Sequence, residues 1–327
     1  MGQTVGFDIG EKDLKMAVYT GKKFRDAVSS EIPDNLVSEG KILSTDAMAE
    51  FIRACAKENK IPKADAAIII PTELVYTRTV TVPAMTEKQL RYSLPFEFKD
   101  YLTTDKSQYY FDYSVNSVSY DEEGNPSELN IFACAVLKET IELYRAVFRK
   151  AGFKLKTAIP AESAYANLLE GCAESDGDEC FVDIGYSGSR IFIYHNGIHD
   201  ISRSIDIGTG ELDRVIADEV GVEVHMAHSY MLTNFNNVLE SEGCAELYNR
   251  LAVEIMKAVN FYNYNSARKE ALDSIYLTGG GSAVSQLCET IASVTNLQIK
   301  PVSGLIGENG FERQGLFAAV CGAAINY

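Results

Sequence analysis

The sequence predicts an α/β protein built from two related halves. Three observations carry this. First, a phrase is repeated: residues 7–15 read Phe-Asp-Ile-Gly-Glu-Lys-Asp-Leu-Lys and residues 182–190 read Val-Asp-Ile-Gly-Tyr-Ser-Gly-Ser-Arg. The offset is 175 throughout, so Asp8 aligns with Asp183, Gly10 with Gly185 and Lys15 with Arg190. Second, each copy lies between β-like runs, 4–9 and 15–19 in the first, 180–184 and 190–194 in the second. Each copy therefore reads as a strand, a glycine turn with an acid at its mouth, and a returning strand. Third, 327 residues at 46% hydrophobic content suffice for two buried cores.

In chain order, 15–20 and 24–32 read as meander strands turned by Gly21-Lys22. Ser44 or Thr45 caps a helix whose Met48, Phe51, Ile52 and Cys55 follow helical spacing. The all-apolar run 66–70, ending at Pro71, is a short buried strand, and the alternating stretch 75–82 is another. Thr86 with Gln89 forms a capping box opening a helix with Leu90 and Leu94, which Pro95 is expected to break or kink. Stretches 109–119 and 128–136 read as a hairpin over the polar turn 121–126, and a helix over 138–151 is closed by Gly152. Residues 84–157 thus read as a small αββα unit inserted into the first half. Pro160 starts a helix with Ala161, Ala164 and Leu168 on one face, and 171–179 is the best linker candidate.

The second half repeats the plan: a hairpin at 180–207, helices near 209–220, 225–233 and 242–265, then a strand at 274–278. Gly279-Gly280-Gly281-Ser282 opens another helix, and a small-residue helix at 315–325 is suited to tight packing.

Charge and cysteine usage narrow the function. A net charge of −16 without a basic stripe argues against nucleic acid. No run of eighteen apolar residues is present, so no membrane insertion is expected, and the first residues carry neither a basic patch nor an apolar signal core. Seven scattered cysteines without close pairs suit reduced thiols in a cytoplasmic protein. His225 and His228, three apart, have no third ligand nearby in sequence that would complete a zinc site. There is no Gly-x-x-x-x-Gly-Lys-Ser/Thr loop, no Gly-x-Ser-x-Gly elbow and no Cys/His dyad in a useful context.

The repeated turns carry the chemistry instead. Asp8 and Asp183, at strand ends, are placed to hold Mg²⁺ through its waters while the metal bridges phosphate oxygens. Gly10 and Gly185 let backbone amides approach phosphate, and Lys15 adds a compact positive charge. Gly208-Thr209-Gly210 precedes a helix, a setting that suits an anion. Gly279, Gly280, Gly281 and Ser282 permit close approach to a ribose or adenine. Glu254 and Lys257 share a helix face, and sequence alone favours reading them as a surface ion pair.

These pieces in this order resemble the actin-like ATPase superfamily of actin, chaperone ATPases, sugar kinases and FtsA, over essentially the whole chain. The resemblance implies an actin-like (ribonuclease H-like) two-lobe fold with ATP and Mg²⁺ between the lobes. It puts the first lobe at 1–175, with the insertion at about 84–157, and the second at 176–327, its last helix (about 314–327) packing back toward the first. The first phosphate motif would run from Asp8 through Gly10, Glu11 and Lys12 to Lys15. The second would include Asp183, Gly185, Tyr186 and Ser187, with Gly208 and Gly210 in the wall. Glu254 and Lys257 would contact the nucleoside beside Gly279 to Ser282, and Glu162 would position the attacking water.

Within the superfamily, Val82-Pro83-Ala84-Met85-Thr86-Glu87-Lys88-Gln89-Leu90 followed by Phe96-Glu97 resembles the PilM branch of type IV pilus assembly proteins. This implies an ATP-binding scaffold at the inner face of the membrane. It would grip the tail of a PilN-like inner-membrane protein between the first lobe and the insertion. Tyr92, Phe96, Phe98 and Tyr101 are groove candidates by aromatic density. Glu11, Lys12 and Asp13 stand where relatives carry small hydroxyl residues, and Tyr186 and Arg190 depart likewise; hydrolysis is therefore expected to be slow at most. The competing expectations are a sugar-kinase-like phosphotransferase and an FtsA-like filament former that self-associates.

Overall fold

The computed structural model describes residues 2–21, 23–170, 177–265, 271–307 and 311–325. The first half comprises β1 (Thr4–Ile9), β2 (Asp13–Tyr19), β3 (Phe24–Glu31), the short hairpin β4 (Val37–Ser38) and β5 (Lys41–Ile42), α1 (Thr45–Glu58) and β6 (Asp65–Ile69). It continues with β7 (Val75–Pro83), α2 (Glu87–Glu97), β8 (Tyr109–Tyr120), β9 (Pro126–Leu137), α3 (Lys138–Ala151), β10 (Lys154–Ile159) and α4 (Ala161–Glu170). The second half comprises β11 (Asp178–Ile184), β12 (Ser189–His195), β13 (Ile198–Ile205), α5 (Thr209–Val220), α6 (Val224–Thr233) and α7 (Glu242–Asn265). It ends with β14 (Ser274–Thr278), α8 (Ser285–Thr295), β15 (Gln298–Ile299), α9 (Ser303–Ile306) and α10 (Gln314–Ala324).

The repeat in sequence is a repeat in topology. One five-stranded sheet runs β3-β2-β1-β6-β10 and the other β13-β12-β11-β14-β15. In each, the first three strands pair antiparallel and the last two join parallel. The register matches to the residue: Asp8 faces Lys15, and Asp183 faces Arg190. The turns close with the same bond, Gly10 N–H to Asp13 C=O and Gly185 N–H to Gly188 C=O, both at 3.0 Å.

Alternation along each hairpin divides its side chains between two cores. In the first sheet Val5, Phe7, Leu14 and Met16 face α1 and α3 (Met48, Ile52, Tyr144, Phe148). In the second, Val182, Ile184, Ile191 and Ile193 face α5, α7 and α8. The opposite faces meet a third core shared by the lobes, where Ala17, Phe181, Phe192 and Tyr194 pack on α4 and α10. The approach is close. A Cβ on Gly322 of α10 would lie 1.9 Å from the Ala164 carbonyl oxygen of α4, and one on Gly6 of β1 would lie 2.3 Å from that of Val320. Only glycine allows α10 this seat against α4 and β1.

The insertion is a sheet of order β7-β9-β8 with α2 on one face, its core built from Val80, Val82, Leu90, Leu94, Phe98, Ile131 and Ala133. The Thr86–Gln89 capping box forms as expected. Pro95 does not break α2. It lies in the last turn, so the one helical bond its missing N–H removes is to the carbonyl of the exposed Arg91, and the helix ends two residues later at Glu97. The helix over 138–151, read as part of the inserted unit, turns Tyr144, Val147 and Phe148 into the first lobe's core. Strand β7, ahead of residue 84, belongs to the inserted sheet. Of the linker stretch 171–179, residues 171–176 lie outside the described residues, and Asp178 and Glu179 already pair in β11. Among the described residues no helix is long and apolar enough to cross a membrane.

Candidate functional site

The two hairpins bring their acids to one lysine. Asp8, Lys15, Asp183 and Arg190 lie on the sheet faces that look into the seam between lobes, the faces carrying Ala17 and Phe192. Lys15 Nζ bonds Asp8 Oδ2 at 3.3 Å. Desolvation pulls the Lys15 ammonium down, but Asp8, Asp183 and Asp13 together outweigh it and hold its pKa above the usual lysine value. Asp183 is pushed up by burial, with Lys15 opposing the rise and Asp8 adding to it. The Asp13 carboxyl is also raised by burial, against the pull of Lys15 and His228. Two carboxylates and one ammonium of different lobes thus share one part-buried place at the seam.

Glycine turns surround it. Gly279 adopts φ +76°, and a Cβ there would lie 2.2 Å from Asp183 Oδ1, so the Gly279–Ser282 turn and the aspartate occupy one corner. The α5 N-terminus abuts the second hairpin turn: Thr209 N–H reaches the Gly185 carbonyl and Gly210 N–H that of Tyr186, each at 2.9 Å. The Tyr186 ring covers Gly210, and a Cβ on Gly208 would strike the Tyr186 carbonyl. Ser187, at the turn's crest, is exposed. Ser282 Oγ bonds the Gly279 carbonyl at 2.7 Å.

Other sequence candidates are drawn elsewhere. Glu11 turns away from the glycine turn and accepts the Gly40 amide. Lys12 pairs with Glu31 at 2.8 Å and Asp34 at 3.4 Å. Glu254 and Lys257 bond each other at 2.7 Å and line an open groove of about 700 Å³ with Arg203, Asp206 and Arg250. That groove lies along β13, whereas Gly279–Ser282 follow β14, and β12 and β11 stand between. The lining of the groove runs to Ile207, the residue before Gly208.

Glu162 is buried, 2% exposed, at the start of α4. Its Oε1 accepts from Thr77 of β7 at 3.1 Å and Ser202 of β13 at 3.5 Å, while Oε2 has no hydrogen-bond partner among the described residues. Burial raises its pKa, with its own backbone amide, Thr77, Arg190 and Ser202 opposing. The carboxyl therefore bridges the insertion and the second lobe.

Two features escaped the sequence reading. Arg190, the counterpart of Lys15 in the repeat, crosses the seam to Thr72 Oγ1 and to Glu73 Oε1, the latter at 2.7 Å, a contact no sequence pattern marks. Asp213 of α5, fully buried, holds His228 Nδ1 of α6 at 2.9 Å. That hydrogen bond raises the histidine's pKa against desolvation. The helical position of Asp213, one turn after Gly210, was the available signal; its partner on another helix had none.

The family described as type IV pilus assembly protein PilM matches residues 6–306. No curated protein matches the chain. Among solved structures, a chain of the PilM–PilN type IV pilus biogenesis complex superposes with a TM-score of 0.83 at 18% identity, covering 99% of both chains. The ethanolamine utilization protein EutJ of Carboxydothermus hydrogenoformans gives 0.63 at 14% identity, covering 99% of this chain and 89% of that one. MreB 5 of Spiroplasma citri, bound to AMPPNP, gives 0.55 at 13% identity, covering 99% and 95%. The fold is the actin-like two-lobe ATPase fold, and the chain belongs to the PilM family of type IV pilus assembly proteins.

Proposed function

We propose that this protein binds Mg²⁺-ATP at the seam between its lobes and acts as a scaffold in pilus assembly, at the cytoplasmic face of the inner membrane. The observation that carries the reading is the convergence of Asp8 and Asp183 on Lys15. Carboxylates from two lobes are costly to gather at a part-buried seam unless a cation joins them. The donor set fits the metal: two carboxylates at strand ends suit a Mg²⁺ that keeps several waters and takes its remaining oxygens from phosphate. When bound, the metal would neutralise phosphate charge.

The chain's own residues do the rest. Lys15 supplies a cation to the phosphates, the turn residues that follow Gly10 and Gly185 supply amide donors, the α5 N-terminus braces the second of these turns through Thr209 and Gly210, and the Gly279–Ser282 turn gives the nucleoside close approach to backbone. Glu162, tied to Thr77 and Ser202, suits joining the lobes better than aligning water, so turnover is expected to be slow.

The solved PilM chain was captured with PilN, and a PilN-like tail is the proposed partner here. The insertion offers Tyr92, Phe96 and Tyr101 on its surface, while Phe98 is fully buried and serves its core. Because the ligand would touch both lobes, nucleotide would bias their angle and so the partner groove. Calorimetry with Mg²⁺-ATP, repeated with a partner tail peptide, tests both parts. Absence of nucleotide binding would remove the first, and a peptide affinity indifferent to nucleotide would remove the coupling.

A further inference from the structure

Arg190 occupies in the second hairpin the position Lys15 occupies in the first, directly opposite the hairpin's aspartate. Lys15 folds back onto Asp8. Arg190 instead crosses to the first lobe and donates to Thr72 and Glu73. These two residues form the single turn Thr72–Leu74 that leads directly into β7, the first strand of the inserted sheet. Glu73 also lies against Gly40: a Cβ there would sit 3.3 Å from Glu73 Oε2. The Gly40 amide donates to Glu11, on the first glycine turn. The second hairpin is thus paired with the carboxylate at the root of the insertion through Arg190, and the first glycine turn is tied to Gly40, which lies beside the same carboxylate. Four residues further on, Thr77 is tied through Glu162 to Ser202 of β13, a second link from the same root to the second lobe.

We propose that Arg190 is a positioning residue that fastens the root of the inserted sheet to the second lobe, so that a change of lobe angle is carried into β7. The part of this that concerns nucleotide rests on the ATP reading above; the fastening itself does not. A planar guanidinium suits the task, since it can donate to the Thr72 hydroxyl and the Glu73 carboxylate together, which an ammonium in its place would do less well. The pair is half-exposed, with side-chain exposures of 28% and 54%, so it can open without dismantling a core.

The test is amide hydrogen exchange over residues 72–77 in the full chain, with and without Mg²⁺-ATP, for wild type, Arg190→Ala, Glu73→Gln and the reversed pair Arg190→Glu with Glu73→Arg. Each single variant is expected to speed exchange over 72–77 by about fivefold, the reach of a half-exposed ion pair, with restoration in the reversed pair. In wild type the nucleotide should slow exchange there, and in Glu73→Gln that response should vanish while calorimetric Mg²⁺-ATP affinity stays within about threefold. Exchange unchanged in both single variants, or no rescue, overturns the fastening. A wild-type nucleotide response that persists in Glu73→Gln overturns the transmission. If wild type binds no nucleotide, the ATP reading fails, and the ligand-free comparison alone decides the fastening.

Discussion

The two hairpins share a backbone and divide the work. Each places an aspartate opposite a cation and closes with the same glycine bond. In the first the cation is a lysine that stays home, desolvated among Asp8, Asp13 and Asp183. In the second it is an arginine that leaves, crossing to Thr72 and Glu73. Duplication of a fold therefore fixes where a residue stands but not what it touches. The longer, forked side chain reaches a neighbour that the shorter one does not.

The sharpest way to break this comparison is to truncate both cations. Lys15→Ala leaves acids from both lobes without their shared partner and should lower unfolding free energy by about 3 kcal/mol, read from urea denaturation near neutral pH. Arg190→Ala removes a half-exposed pair and should cost no more than about 1 kcal/mol in the same assay. Equal losses would contradict the division of roles.

A pH titration sharpens the second lobe's side of the seam. His199 of β13 bonds Ser202 at 2.7 Å and packs against Phe132 and Tyr194. Burial lowers its pKa to about 4, against a raising pull from Asp200. The unfolded chain thus takes up its proton first as pH falls. Its stabilisation is present above about pH 6.5 and is lost between there and pH 4, by about 3 kcal/mol at the lower end. Glu162, raised by burial, works with the opposite sign as pH falls. The histidine's share is therefore read as the difference between wild type and His199→Gln, whose stability should fall less from pH 7 to pH 4. Parallel curves would contradict the burial of His199. The smallest effect is expected at Glu254→Ala, whose exposed pair lies across two strands from the glycine corner: Mg²⁺-ATP affinity should change less than about twofold.

Much of this was legible in the sequence because it is local. The strand Thr4–Ile9, the helix Lys138–Ala151 closed by left-handed Gly152, and the strand Ser274–Thr278 follow from alternation, capping and turn chemistry over a few residues. The repeat aligned Asp8 with Asp183 and Lys15 with Arg190 and marked both copies as hairpins; the cross-strand pairs Asp8–Lys15 and Asp183–Arg190 match between the copies because register in a tight hairpin is set by the turn. What was not legible is long-range. The resemblance alone implies a water-positioning role for Glu162, and its partners Thr77 and Ser202 stand 85 and 40 residues away, beyond any local pattern. Glu254 and Lys257 match a spacing, but the depth at which α7 lies along β13 decides which groove they line. Glu11, repulsive toward phosphate on paper, is withdrawn by an amide of the β4–β5 hairpin that no local pattern points to.

The account depends most on the two aspartates serving one ligand from opposite lobes. Calorimetric titration of Mg²⁺-ATP into wild type, Asp8→Ala and Asp183→Ala, with circular dichroism to verify folding, tests it most directly. Both variants should keep the fold and lose measurable binding. Wild-type affinity retained in either one would contradict the shared site.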